Sequence, residues 1–432
     1  MDEKNLMDTS VEPIPIKQVT IEETTPYRLS WKQTFAALKH RNYSLWFKGQ
    51  TISLLGTWMQ VTAQGFLVYE LTHSAAYLGY VGFAAGLPSW LFMMYGGVIA
   101  DRMPRRKILV ITQTTMMIFA FILAALAFTH YVQPWHIVVL AFFLGTANAF
   151  DAPARQAFTL ELVNREDLTN AIALNSTMFN TATAIGPTVA GITYTLFGPA
   201  WCFFINGLSF IGVIIALLMM RIKFTPHPVN GRSKLADLKE GLRYAVHHKM
   251  IRTLIMLVAA TSLFGMSFTT LLPAWAVKIL GGNATTNGLL QSARGVGALT
   301  AALFIASLGR FKFKGRLLTY GNFAFPVLML VFALVHWLPF SLIVLVGVGG
   351  ALILQLNLAN ALVQTLVDEK LRGRVMGIYT LGFMGSMPLG ALFMGTIAQT
   401  FGAPEAVMIG SIICMLVAIS IWLFVPKLRT QG

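Results

Sequence analysis

The sequence predicts an all-α membrane protein: twelve transmembrane helices in two pseudo-symmetric six-helix bundles. Three observations predict it. The 432 residues are 56% hydrophobic and only 11% charged, with mean hydropathy +0.67; a water-soluble chain is about one-quarter charged. The apolar residues gather in twelve long runs, each close to the roughly 20 residues a helix needs to cross a ~30 Å hydrocarbon core. All but three of the 32 Lys and Arg fall on one side of the resulting zigzag.

The elements follow in chain order. Residues 1–28 are polar and hold six of the 17 acids (Asp2, Glu3, Asp8, Glu12, Glu22 and Glu23), with Pro13 and Pro15 adding stiffness. Residues 1–41 therefore read as a cytoplasmic tail, disordered and then interfacial, without the apolar core of a secretory leader. The runs are 44–70, 77–100, 108–129, 136–158, 169–196, 200–221, 251–279, 286–308, 317–336, 340–365, 373–400 and 404–425. They divide into an N-terminal bundle over 42–221 and a C-terminal bundle over 251–425, with a linker at 222–250 and a tail at 426–432. Helices are expected because only helices and closed barrels satisfy their backbone in lipid. In the linker, Leu235, Leu238, Leu242 and Val246 share one helical face, which predicts an amphipathic helix on the membrane surface.

Lysine and arginine placement sets the orientation. With both termini in the cytoplasm, only Lys278 falls near an outer end, and Lys48 and Arg294 fall inside runs. The net charge of +15 is then a mark of topology and of contact with anionic lipid, and no nucleic-acid partner is expected. No GxxxxGK[ST] loop occurs, so no nucleotide site is expected. Cys202 and Cys414 sit in apolar runs without a CxxC, and His247-His248 point to different sides of a helix, so no metal is expected. An intramembrane enzyme would need a convergent catalytic set, and no histidine lies inside a run.

The halves repeat. GVIADRMPRRKIL (97–109) aligns with ASLGRFKFKGRLL (306–318), and ELVNREDLTNAI (161–172) with TLVDEKLRGRV (365–375). Each pair is a charged turn at the same place in its half, which implies a substrate cavity between the halves. In the first turn Gly97 is expected to allow close helix approach, and Asp101, Arg102, Arg105, Arg106 and Lys107 to anchor or latch it. Among the acids, Glu70 lies at an outer end. Asp151 lies ~22 Å into the fourth run, with Pro153 two residues on and Arg155 at i+4. Two readings stay open for the Asp151–Arg155 pair: an intrahelical bridge, or a gate or proton site. Arg294 is the one base deep in the second half, a candidate for an anionic substrate group or an acid across the halves. Gln60, Gln64, Asn148, Asn180, Gln291, Gln355, Asn357 and Asn360 are intramembrane amides, some expected to line the cavity and others to join helices. With few charges and 12% aromatic residues, an amphipathic organic substrate fits better than a sugar or small ion.

Residues 97–107 resemble motif A of the major facilitator superfamily, G-x-x-x-D-R-x-G-R-[RK]-[RK], with Pro104 where glycine is usual. The resemblance implies twelve helices working by alternating access, usually as a monomer. It also implies a latch through Asp101, Arg102 and Arg105; the second copy is degenerate, with Arg310 at the aspartate position. SLLGTWMQVTAQGFLVYELTHSAAYLG (53–79) and FDAPARQAFTLELV (150–163) resemble the drug:proton antiporter branch that includes the enterobactin exporter. GPTVAG (186–191) is similar to the antiporter motif G-P-x-x-G-G, with Ala190 for one glycine. Pro187 frees a backbone carbonyl and kinks the helix, while Gly186 and Gly191 permit close contact. The arginine usual in the middle of the fourth helix of drug exporters is absent. The resemblance implies proton-driven efflux of a drug or siderophore across a bacterial inner membrane. Its rivals are an importer or uncoupled facilitator, for example of lipids, and a transport-inactive sensor or scaffold.

Overall fold

The computed structural model describes residues 35–220, 234–308 and 313–430; within these, the side chains of Met93, Met94, Asp101 and residues 234–238 are not described. Twelve long helices run in chain order: α1 Arg41–Thr72, α2 Ala75–Arg102, α3 Arg105–Phe128, α4 Pro134–Leu162, α5 Leu168–Phe197, α6 Pro199–Met219, α7 Lys249–Ile279, α8 Ala284–Ser307, α9 Lys314–Leu334, α10 Leu338–Leu366, α11 Arg372–Thr400 and α12 Ala403–Phe424. Among the described residues there are no strands, and nine of these helices are long and apolar enough to cross a membrane by composition. The other three are α1, α2 and α5; α1 and α5 are diluted by Gln, Asn, Ser and Thr.

Local chemistry sets the boundaries. Pro134, Pro199 and Pro404 occupy first-turn positions, where the missing N–H is no loss. Asn283 caps α8, its Oδ1 accepting from the N–H groups of Thr285 at 3.0 Å and Thr286 at 3.3 Å. Gly198 (φ 89°) and Gly402 (φ 110°) end α5 and α11 in backbone that favours glycine, and each is followed by a proline-started helix. Phe197-Gly198-Pro199 and Phe401-Gly402-Ala403-Pro404 are thus a third matching pair between the two halves.

One run departs from expectation. α7 is helical over Lys249–Ala260, widens to a π-turn at Thr261–Gly265, tightens to a 3-10 stretch at Met266–Leu271 and widens again at Trp275–Ile279. A Cβ at Gly265 would lie 2.5 Å from the Phe325 ring, so the change of winding sits where α7 meets α9. Such bulges recur at functional sites.

The packing is two-fold. α1 packs on α5 and α6, and α7 on α11 and α12; α3 packs on α4 and α6, and α9 on α10 and α12. Two pairs chiefly join the bundles, α2 with α11 and α5 with α8. Residues 36–39, the linker helix and residues 426–430 share one face, here the basic face. The linker helix spans Lys234–His247 and packs on the start of α11, with Glu240 paired to Arg374 at 2.7 Å. Its packed side is Gly241 and Ala245, whereas Leu242 and Val246 are 49% and 47% exposed. Leu242 and Val246 of the expected apolar face therefore point away from the protein, because the small residues make the tertiary contact, and the side chains of Leu235 and Leu238 lie outside the described residues.

Candidate functional site

Among the described residues, the bundles meet mainly toward one side. Toward the far face their cores merge: Ala274 and Ala284 join the first bundle's Met59, Phe66 and Phe203, and Ala75 joins the second bundle's Phe268, Trp275 and Met394. Toward the basic face the cores are separate. Leu109, Phe158 and Leu217 form one, and Leu254, Leu362 and Val375 the other. Among the described residues, the hydrogen bonds between bundles keep to the far half. Ser74 Oγ donates to Gln399 Oε1 at 2.8 Å, Thr285 Oγ1 to the Gly191 carbonyl at 3.2 Å, and the Thr188 N–H to Ser292 Oγ at 3.0 Å. The bundles are thus closed on each other at the far face, while their cores stay separate toward the basic face.

Small residues make that closure possible. The motif glycines divide the work: Gly186 packs on Trp58 of α1, while Gly191 packs on the α8 backbone, where a Cβ would lie 2.6 Å from the Ala284 carbonyl oxygen and 2.8 Å from Thr285 Cα. The Pro187 carbonyl faces Gly288.

The basic turn makes its bonds inside its own bundle. Arg105 donates to Glu161 at 2.8 Å and to the Ala157 carbonyl at 3.2 Å, and Arg106 to the Leu218 carbonyl at 2.8 Å. Arg102 is exposed. Gly97 corrects an expectation: a Cβ there meets nothing within 4 Å, and Gly96 instead abuts the Ala149 carbonyl at 2.5 Å. One residue of helix turns ~100°, which is enough to move the contact. The side chain of Asp101, residues 1–34 and Arg310 lie outside the described residues, so their expected latch and tail roles do too.

Asp151 is 1% exposed and fully engaged. It accepts from Thr112 Oγ1 at 2.8 Å and Gln113 Nε2 at 2.9 Å, and pairs with Arg155 Nε at 3.3 Å. Two of these partners come from α3, so the carboxylate ties α3 to α4. The carboxylate thus bridges to Arg155 within α4 and to Thr112 and Gln113 on a second helix. Glu70 is exposed near the far end of α1 and accepts from the Tyr194 hydroxyl of α5.

The amides sort by contact. Gln60 accepts from Asn206 Nδ2 at 2.6 Å, and Gln64 reaches the Ile137 carbonyl at 3.5 Å; both are buried inside the first bundle as ties between helices. Gln355 donates to Thr261 Oγ1 at 2.8 Å, tying α10 to the first π-turn of α7. Asn148 and Asn357 are exposed. On α8, Asn287, Gln291 and Arg294 form a polar strip facing α1: Gln291 donates to Asn287 at 3.2 Å and accepts from Thr62 at 3.5 Å. Arg294 makes no hydrogen bond or ion pair among the described residues, and its Nε is sealed from solvent.

The sequence reading passed over one cluster. Asp167, at the α4–α5 turn, pairs with Lys39 at 2.8 Å and His40 at 2.7 Å, while Asn170 Oδ1 accepts from the Ala37 N–H at 2.9 Å and Tyr43 donates to the Ala171 carbonyl at 2.9 Å. Hydrogen bonds from Lys39, then His40, hold the Asp167 carboxyl below the usual carboxylate range. These residues clamp the 3-10 turn Ala36–Lys39 onto α5.

The transmembrane secretion effector family model matches residues 32–431. The staphyloferrin A transporter of Staphylococcus aureus is 25% identical, covering 82% of this chain and 89% of that protein. The multidrug efflux pump Tap of Mycolicibacterium fortuitum is 25% identical over 87% and 93%, and the enterobactin exporter EntS of Citrobacter koseri 24% over 93% and 96%. Among solved structures, the inward-facing, unoccupied bacterial homologue of the lysosomal transporter Spinster superposes with TM-score 0.70 at 13% identity, covering 93% of this chain and 98% of that one. The nucleoside transporter NupG does so with TM-score 0.67 at 15% identity, covering 89% and 98%.

Proposed function

The chain belongs to the transmembrane secretion effector family of the major facilitator superfamily, and on that premise we propose that it exports an amphipathic organic molecule, a drug or siderophore, by proton-coupled alternating access. It is a membrane transporter and not an enzyme. In this reading all twelve long helices cross a bacterial inner membrane, both termini are cytoplasmic and the functional unit is a monomer. The basic face is then the cytoplasmic face, as the lysine and arginine bias requires. The named relatives include a siderophore transporter, a siderophore exporter and a multidrug efflux pump, which supports the direction and the substrate class.

One observation carries the reading: the bundles are joined at the far face and separate at the basic face. An exporter loads in this state. Release requires the α5–α8 and α2–α11 contacts to part while the basic turns close, with Asp101, Arg102 and Arg105 as the latch of the opposite state. Coupling requires a carboxylate that can reach the outside. Asp151 already has three partners, so the role falls to Glu70, which is exposed and bonded to Tyr194 on a helix that touches the other bundle.

A second reading keeps the fold and drops the proton. It is favoured by the polar strip, where among the described residues no carboxylate accompanies Arg294. Inside-out vesicles energised acid inside separate the two. Export predicts that a substrate added outside the vesicle dissipates luminal acidity, only when the protein is present. Equilibration of a labelled compound with no change in luminal pH would establish the facilitator.

A further inference from the structure

Helix α8 has three faces already occupied. Gly288, Ser292 and Gly295 pack on α5, Gly297 packs on the Val346 backbone of α10, and Val296, Leu303 and Phe304 are exposed toward lipid. At ~100° per residue the remaining face carries Asn287, Gln291 and Arg294, and the Thr62 contact shows that it faces α1 of the other bundle. This strip stands between the bundles, where the transport reading puts its cargo.

Two groups on the strip are unsatisfied, and both are donors. Arg294 Nε is buried without an acceptor, and so is Asn287 Nδ2, whose own oxygen is taken by Gln291. Buried donors normally find partners, and a guanidinium offers a planar fork matched to carboxylates and similar oxyanions. The described carboxylates are held elsewhere. Asp151 is taken by Thr112, Gln113 and Arg155, Glu161 by Arg105, Asp167 by Lys39 and His40, Glu240 by Arg374, Glu369 by Arg372 and Glu70 by Tyr194. Glu166 and Asp368 stand in basic-face turns and Glu405 begins α12.

We infer that the cargo is an organic anion. A carboxylate, catecholate or comparable oxyanion of the cargo pairs with Arg294. Lipophilic cations are refused, because the strip offers them a fixed positive charge and no described carboxylate. This rests on the reading of the gap as the cargo site and gives that reading a sign of charge.

The test uses the purified full chain and three probes: citrate, 2,3-dihydroxybenzoate and tetraphenylphosphonium, with affinity read from intrinsic tryptophan fluorescence. Wild type is expected to bind at least one anion and not the cation. Arg294→Gln should weaken that anion about 10- to 100-fold, and Arg294→Lys, which keeps the charge, should restore part of it. Binding of tetraphenylphosphonium in place of the anions, no anion binding at millimolar concentration, or unchanged anion affinity in folded Arg294→Gln would each overturn the inference. Cysteine labelling of Ser292→Cys from the far face in energised vesicles reports alternating access separately. Alternation without anion binding sinks this inference alone, whereas loss of alternation sinks the transport reading beneath it.

Discussion

Substituting Gly191 with alanine should push the protein out of its far-closed state. The added Cβ would lie 2.6 Å from the Ala284 carbonyl oxygen and 2.8 Å from Thr285 Cα. Ordinary contacts of this kind need at least ~3.4 Å, so α5 and α8 must separate by about 0.6–0.8 Å. Both obstructing atoms are backbone, so no side-chain rotation relieves the clash. Overpacking of this size costs about 1–3 kcal/mol, and stretching the Thr285–Gly191 hydrogen bond, 3.2 Å long, adds about 0.5–1.5 kcal/mol. The penalty falls on one state only, so it acts as a population shift. Every 1.4 kcal/mol is tenfold, which gives roughly 10- to 1000-fold more of the far-open state. The reporter is Ser292→Cys, buried beneath this contact, labelled from outside with a membrane-impermeant maleimide; Cys202 and Cys414 are buried and should stay silent. Gly191→Ala should speed labelling at least tenfold. Gly145→Ala, whose Cβ would strike the Ala85 carbonyl inside the first bundle, should lower the Tm without changing the labelling rate. Equal labelling in folded Gly191→Ala and its parent would refute the one-sided closure.

Three more outcomes follow from the same contacts. Asp151→Asn should destabilise the first bundle by about 1–3 kcal/mol, because Arg155 loses its counter-charge beside two polar partners; thermal unfolding measures it, with transport preserved at lower temperature. Glu70→Gln should abolish gradient-driven accumulation yet leave counterflow exchange of a labelled substrate intact; loss of both would assign Glu70 a structural role. The Asp167 clamp contributes stability that is complete above the ordinary carboxylate pKa and is lost as pH falls through its lowered value. Proteolysis near Ala36–Lys39 should therefore stay slow at neutral pH and accelerate only below about pH 4, with Asp167→Asn fast at every pH.

What could be read in the sequence was what repeats or accumulates. Runs of apolar residues defined the helices because burial in lipid needs length, and the charged turns recurred at matching places in the two halves. Gly186, Pro187 and Gly191 were legible because close backbone approach permits few residue types. What escaped depended on partners far along the chain. Gln60 looked like a cavity amide until Asn206, 146 residues later, took its oxygen. Lys39, His40 and Asp167 looked like ordinary basic-face charges, though 127 residues or more separate the clamp's two sides. The winding changes of α7 have no local signature, since glycine and proline are common in membrane helices, and the close neighbour of the first bulge, the ring of Phe325, lies 60 residues on from Gly265. Arg294 was visible as a lone charge, but its direction became readable only once Gly288, Gly295 and Gly297 had claimed the other faces of α8.

The most direct test of alternating access is a pair of distance measurements by paired spin labels in lipid. One pair sits at the far face on Ser74→Cys and Gln399→Cys, whose native side chains are hydrogen-bonded at 2.8 Å; the other sits at the basic face on Arg165→Cys and Lys370→Cys, both exposed turn positions of opposite bundles. Imposing a proton gradient with substrate present should lengthen the first distance while the second shortens. Two distances that stay fixed, or that change in the same direction, would contradict it.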